Sequence, residues 1–357
     1  MIRPLLVAFL LSACAAQSNA PEPSTMPQPT TSTHKITQLD LIPAAQKDEQ
    51  GRYRNLDPEA AHGSLWTRLA FFGRRMTTPF RSSKGAAPVY SSSKPQAPAE
   101  NSVQWVGHST LLVSMQGMHF LTDPIWSDTP SPLPPLGPSR FVPPGLTIEQ
   151  LPDIDFVLIS HNHYDHLDVP SLIRLAQRSP NTVFLVPTDN SALLRKHRIN
   201  NVLELNWGEQ IRLGALTITG LPAQHWSKRG IGDTRQALWS SWAVSSEHKQ
   251  FYFGGDSAYF SGYSLIGETL GPFDLVALPI GAYQPRAMMA SSHMNPEEAI
   301  QAAADLKASK ILPIHYGTFD LSDEPLDEPL ARFETALQTM TNDLSPLILQ
   351  IGERHAF

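Results

Sequence analysis

The segment "ISHNHYDHLD", residues 159–168, constrains this chain more than any other stretch. An apolar run from Phe156 to Ile159 reads as a short buried strand, and three histidines and two aspartates follow directly. A strand end is a good mount for such a cluster, because a rigid scaffold can hold convergent polar groups on a loop. His161, His163, Asp165 and His166 give the spacing H-x-H-x-D-H. On a loop or first helical turn this spacing splits the side chains into two sets, His161 with His163 and Asp165 with His166, each aimed at its own ion. A zinc shell needs about four ligands, water included. Both sets are therefore incomplete, and further ligands are expected from other strand ends.

Three residues have that setting. His225 lies in "PAQHW" after the strand-like "ALTITGL", Asp256 in "FGGDS" after "QFYF", and His315 in "LPIHYG" after "KIL". A lone histidine after a strand is usually structural or solvated; the H-x-H-x-D-H run is what recruits these three. Five histidines and two carboxylates then complete a two-metal site. The chain's one cysteine, Cys14, excludes an internal disulfide and cysteine-ligated zinc.

The pattern from about residue 102 is strand-rich. "VQWVGHSTLLVSM" and "HFLTDP" read as a strand pair with a turn at Gln116-Gly117. "TVFLVP", "ALWSSWAV", "DLVALPIG", "KILPIH" and "PLILQI" read as further strands. "VPSLIRLAQR", "NSALLRKHR", "PEEAIQAAADLK" and "EPLARFETALQTM" have helical spacing. Strands outnumber helices, and helices occur in both halves. This predicts an α/β chain with a two-sheet core and helices on the outer faces, over residues 101–357.

The N-terminal part is different. Residues 1–13 read as a secretory signal, with Arg3 ahead of an apolar run, and Leu11-Ser12-Ala13-Cys14 resembles a bacterial lipobox. That resemblance implies acylation of Cys14 and, with Ala15 following, an outer-membrane anchor facing the periplasm. Residues 14–50 read as a flexible tether, and 51–100 as a basic, aromatic arm. Residues 60–99 hold Arg68, Arg74, Arg75, Arg81, Lys84 and Lys94 without an acid, beside Trp66, Leu69, Phe71 and Phe72. Such a surface either packs on the core with a solvated basic edge or meets anionic lipid. A net charge of -6 gives no case for nucleic acid. The oligomeric state stays open, a dimer included.

The segments "QWVGHST", "FLTDPIWS", "LISHNHYDHLD", "PAQHWSKRG", "FGGDSAYF", "GPFDLVALPIGAYQPR", "HMNPEEA" and "IHYGTF" run in order from residue 104 to 319. On them the chain resembles the metallo-β-lactamase superfamily, and more narrowly the N-acylphosphatidylethanolamine-hydrolysing phospholipase D family. "GRYRN" at 51–55 extends the likeness weakly to the arm. The resemblance implies a four-layer αββα sandwich with two Zn²⁺ between the sheet edges. His161, His163 and His225 would hold one ion, Asp165, His166 and His315 the other, and Asp256 would bridge. A metal-bridging hydroxide would then attack a phosphodiester of a membrane phospholipid, with Asp165, Asp256 and His293 as the catalytic residues.

Other residues are candidates around that centre. Asp123 could orient a ligand histidine from behind, or serve as a turn carboxylate. Asp168 reads first as the cap of the following helix, second as support for the site. His108 reads as structural. Tyr283, Gln284 and Arg286 are candidates to line the cleft, although Gln284 departs from the family pattern, which has an acid there. Related sugar-lactone hydrolases share several segments, so a lactone or another phosphodiester is the alternative substrate. A non-catalytic metal-binding envelope lipoprotein is the third reading, and the complete seven-residue set argues against it.

Overall fold

The computed structural model describes residues 35–58, 63–77, 99–339 and 343–357. The signal segment, Cys14, Arg81, Lys84 and Lys94 lie outside the described residues, as do the side chains of Phe72 and Arg75. Among the described residues no helix is long and apolar enough to cross a membrane.

The described chain begins with β1 (Thr37–Gln38) and helix α1 (Leu65–Thr77). One sheet follows from β2 (Ser102–Gly107), β3 (Thr110–Met115), β4 (Met118–Thr122) and β5 (Phe156–Leu158). It continues through α2 (Val169–Arg178), β6 (Val183–Pro187), α3 (Ser191–Lys196) and β7 (Val202–Leu205). The second sheet starts with β8 (Glu209–Leu213), β9 (Leu216–Leu221), β10 (Ser241–Ser245) and β11 (Gln250–Phe253). Then come α4 (Gly262–Thr269), β12 (Leu275–Pro279), α5 (Arg286–Met289) and α6 (Pro296–Asp305). The chain ends with β13 (Lys310–Ile314), α7 (Glu328–Leu337), β14 (Ser345–Pro346) and β15 (Arg354–Ala356). The sheet orders are β15-β2-β3-β4-β5-β6-β7 and β1-β8-β9-β10-β11-β12-β13-β14.

Alternation along the strands explains the layering. In β5 and its continuation, Phe156 and Leu158 join the core between the sheets. Val157 and Ile159 point the other way, into a second core with Leu172 and Leu175 of α2 and Leu194 of α3. In β12, Leu275, Val276, Ala277 and Leu278 are all fully buried, because helix α6 covers the face away from the first sheet. The product is the αββα sandwich expected from the sequence.

Several elements differ from the sequence reading. "VQWVGHSTLLVSM" is two strands, not one: Gly107 (φ 134°) and His108 (φ 53°) turn the chain back between β2 and β3. The turn at Gln116-Gly117 is present, both residues having positive φ. "PLILQI" pairs with β13 only at its start, then crosses to the first sheet, where β15 pairs with β2. Residues 35–50 do not behave as a tether: β1 pairs with β8, and Ile42 is buried in the main core.

Candidate metal centre

Parallel pairing of β4, β5 and β6, and of β11, β12 and β13, aligns the C-terminal ends of these strands. The ligand candidates leave from those ends. His161, His163, Asp165 and His166 follow β5, His225 follows β9, Asp256 follows β11, and His315 follows β13. Gly255 (φ 57°) is needed for the approach of the Asp256 loop. A Cβ there would lie 2.4 Å from Cβ of Ser160.

His161, His163 and His225 form one half. Nδ1 of His163 lies 2.7 Å from Nε2 of His161 and 3.2 Å from Nε2 of His225. Burial, reinforced by the neighbouring histidines, holds His161 well below the usual imidazole range and His163 at about 3. Burial lowers His225 to about 3 as well. The three rings are thus neutral, with one nitrogen of each gathered within 4.8 Å of the others.

Asp165, His166 and His315 form the other half. Nε2 of His166 is 3.1 Å from Oδ2 of Asp256 and 3.3 Å from Oδ2 of Asp165. Nε2 of His315 is 3.1 Å from Oδ1 of Asp256 and 3.5 Å from Oδ2 of Asp165. Burial opposes charge here too, but Asp256 and Asp165 outweigh it. They raise His166 well above its usual range and His315 to about 9. Burial likewise opposes the charge of the two carboxylates, yet His166 first, with its neighbours, holds both well below the normal range. Asp256 lies close to both halves, its Oδ2 being 3.9 Å from Nε2 of His225.

These contacts are short but mostly not aligned as hydrogen bonds. Among the described residues, Nε2 of His166, Nε2 of His315 and Oδ1 of Asp256 are buried without a hydrogen-bond partner. Buried polar atoms are normally paired. Atoms close together that point at shared centres instead of at each other fit a set of metal ligands. The ligating atoms of His161, His163 and His225 lie within 4.8 Å of one another, as do those of the Asp165, His166 and His315 group, and those of His161, His166 and Asp256. The donor set therefore fits a metal centre.

Behind the ligands, other groups fix the rings. With Nε2 facing the centre, Nδ1–H of His161 donates to Ser160 Oγ (2.9 Å), that of His166 to Asp123 Oδ2 (2.6 Å), and that of His225 to the Ser292 carbonyl (2.9 Å). Asp123 is fully buried and also accepts from the Ser160 N–H and hydroxyl, at 2.6 and 2.5 Å. It sits behind His166 and is not a surface turn carboxylate. A guanidinium nitrogen of Arg229 donates to the carbonyls of Asn162 (3.0 Å) and Leu167 (2.8 Å), closing the ligand loop from its two ends.

His108 requires a correction. Its Nε2 lies 3.0 Å from Oδ2 of Asp165, and its ring packs 4.2 Å from that of His315. It belongs to the centre, held there by the tight turn between β2 and β3. A histidine beside a glycine between two apolar runs was the available signal.

Asp168 is also corrected. It occupies the N-cap position of α2, but its side chain makes no cap hydrogen bond. Its carboxylate accepts from the Ser127 hydroxyl (2.8 Å) and from Ser171, tying the loop after β4 to α2.

The segment after β12 departs further from expectation. His293 does face the centre, with Nδ1 3.8 Å from Oδ2 of Asp256. Tyr283, however, is fully buried, and its hydroxyl donates to Glu328 of α7 (2.6 Å). Arg286 pairs with Glu298 (2.6 and 2.9 Å) and donates to the His293 carbonyl (2.9 Å). Tyr283 is thus turned into the core, and both residues brace the segment that carries His293. Gln284 is half-buried, and its N–H donates to Glu324 (2.9 Å). Glu324, which sequence reasoning missed, also accepts from the Ala282 and Tyr283 N–H groups, at 2.6 and 3.3 Å. It thereby shapes the turn around Ala282 (φ 62°).

Comparison with known proteins agrees with this geometry. Residues 119–316 match the family model described as "Beta-lactamase superfamily domain". The chain belongs to the beta-lactamase superfamily. Within it, the chain is similar to "N-acyl-phosphatidylethanolamine-hydrolyzing phospholipase D 1" of Caenorhabditis elegans, 41% identical over 262 residues, covering 70% of this chain and 74% of the relative. The mitochondrial protein of the same designation from Saccharomyces cerevisiae is 34% identical over 64% of this chain and 50% of its own length. Among solved structures, a metallo hydrolase from the archaeon Ignicoccus hospitalis superposes with a TM-score of 0.55 at 23% identity, covering 72% of this chain and 97% of its own. That likeness concerns the fold.

Proposed function

We propose that this metal-dependent hydrolase of the beta-lactamase superfamily cleaves an N-acylated phosphatidylethanolamine, or a kindred membrane phospholipid, on the head-group side of its phosphodiester. The reading rests on one conjunction: a buried cluster of five histidines and two aspartates at aligned strand ends, in a chain 41% identical to a relative whose name states that activity. Two zinc ions suit this donor set of imidazoles and carboxylates without thiolate. His161, His163 and His225 would hold one and Asp165, His166 and His315 the other, with Asp256 between them. Bound there, two such ions supply Lewis-acid polarisation of the phosphoryl oxygens and a water acidic enough to ionise near neutral pH.

The side chains do the rest. Asp165 and Asp256 cancel only part of the charge of two divalent ions, so the pocket favours a phosphodiester anion. Asp123, Ser160 and the Ser292 carbonyl keep the ligand rings in one tautomer and orientation. His293 is largely enclosed and lowered to about 4, desolvation being the main cause, so it is neutral at working pH. In this reading it would present an N–H to the departing alkoxide oxygen.

The N-terminal part gains a role in the same reading. Acylation at Cys14 would anchor the protein in a bacterial outer membrane, facing the periplasm, and the basic arm would bring the cleft to anionic lipid. Support for the arm comes from α1. Its Trp66, Arg68 and Leu69 are exposed, the helix lies beside α5, and Arg74 pairs with Asp323. Near an anionic surface each basic residue contributes on the order of 1 kcal/mol.

The test is a product assay. Purified protein is offered N-acyl and plain phosphatidylethanolamine, a lactone panel and a simple diester, with products read by mass spectrometry. N-acylethanolamine and phosphatidate should appear from the first substrate. Turnover of lactones with no attack on phospholipid would assign the site to a lactonase.

A further inference from the structure

Residues 35–58 lie outside the segment that matches the superfamily, which begins at residue 119. They nevertheless reach the metal centre. The side-chain amide of Asn55 pairs with both backbone groups of His225. Its Nδ2 donates to the His225 carbonyl (2.9 Å), and its Oδ1 accepts from the His225 N–H (3.1 Å). The same Oδ1 accepts from the Trp239 indole N–H (3.0 Å). Two residues further on, Asp57 turns to the other loop. Its carboxylate accepts from the N–H (2.8 Å) and hydroxyl (2.6 Å) of Ser261, on the segment that leads from Asp256 into α4. Its carbonyl accepts from the side chain of Gln224, next to His225 (3.2 Å).

The strap is itself well tied down. Tyr53 is buried, donates from its hydroxyl to Asp189 (2.8 Å) and from its N–H to the Arg235 carbonyl (2.8 Å). Lys47 pairs with the same Asp189 (2.8 Å), and β1 adds to the edge of β8.

We infer that Asn55 and Asp57 form a positioning clamp for the metal centre, joining the His225 loop to the Asp256 loop from outside the matched domain. This rests on the metal-centre reading above. An amide that pairs with both the N–H and the C=O of one residue fixes the two peptide planes flanking it. The Ser292 carbonyl fixes the ring of His225 at Nδ1, and Asn55 fixes the backbone from which the ring projects. Together they set where Nε2 points. Ligand geometry of this kind must hold within roughly half an ångström, and a loop released on one side does not hold it. Asn55 is a positioning residue and touches neither metal nor substrate.

The full chain is tested with Co²⁺ alone as the probe. Affinities of the two ions are measured by chelator competition, the visible Co²⁺ spectrum is recorded, and metal-free unfolding midpoints are compared. The variants are Asn55→Ala, Asn55→Asp and, as a strap control that removes only the hydroxyl bonded to Asp189, Tyr53→Phe. Asn55→Ala should weaken one of the two ions by about 10- to 100-fold and alter the Co²⁺ spectrum. Tyr53→Phe should lower the unfolding midpoint and leave both metal readings alone. Asn55→Asp keeps the acceptor for the His225 N–H and loses the donor to its carbonyl, so it should fall between; it also serves if the alanine variant does not fold. Wild-type affinities and an unchanged spectrum in both Asn55 variants would overturn the clamp, whatever happens to the midpoint. A wild-type chain that binds no Co²⁺ would overturn the metal centre itself, and the clamp with it.

Discussion

The two halves of the centre both draw on strand ends from the two sheets but are stabilised differently. The His161, His163 and His225 half is made of imidazoles alone, and neutral oxygens back two of its rings: Ser160 Oγ behind His161 and the Ser292 carbonyl behind His225. Burial keeps all three rings uncharged. The Asp165, His166 and His315 half is built from charge. Two aspartates face two histidines, with Asp123 behind one and His108 beside Asp165. The first half therefore depends on shape, set by how its loops are held. The second depends on matched charge in a buried place, where an unpaired ion costs several kcal/mol. Changes behind the charged half should accordingly be the more damaging.

The largest effect is expected at Asp123. Asp123→Ala strips the acceptor from Nδ1 of His166 and from the Ser160 N–H and hydroxyl, all buried. Each stranded donor costs about 1–3 kcal/mol, and loss of the group behind a ligand histidine costs about 10- to 100-fold in metal affinity. Denaturant unfolding and chelator competition would read both quantities. A variant that kept wild-type affinity for both ions would remove the distinction between the halves.

His108→Ala comes next. It removes one contact to Asp165 and the ring beside His315. Affinity for one ion should fall by about 10-fold, the low end for a residue behind a ligand, and the other ion should bind normally. Equal weakening of both ions would mean that the halves act as one unit.

Tyr283→Phe should have the smallest effect. Losing the hydrogen bond to Glu328 should cost about 1 kcal/mol of stability, with metal content and KM unchanged. A raised KM would return Tyr283 to the cleft wall.

The contrast also explains what was legible in the sequence. H-x-H-x-D-H pointed to four candidate ligands because they share one loop. His225, Asp256 and His315 followed because each ends an apolar run, which placed all of them at strand ends. The two-sheet core was readable from the strand-rich pattern with helices in both halves. Of the backing groups, Asp123 was readable as a candidate because it too ends a strand, whereas Asn55 and the contact of His108 were not, since each works through a segment far away. Asn55 meets His225 across 170 positions, and His108 meets Asp165 across 57. Side-chain direction after β12 was lost for another reason. Regular alternation stops at Pro279, and the turn at Ala282, held by Glu324, sends Tyr283 inward.

Asp256 is where the halves meet, with Oδ1 beside His315 and Oδ2 beside His166 on one side and 3.9 Å from Nε2 of His225 on the other. The most direct measurement is metal content after equilibrium dialysis against zinc, by mass spectrometry of the metal, for the wild-type chain and Asp256→Asn. Two ions per chain are expected in the wild type. The variant should lose metal and nearly all hydrolysis, because it gives up the shared carboxylate and one compensating charge. Two zinc ions and normal turnover in Asp256→Asn would contradict a centre bridged by that residue.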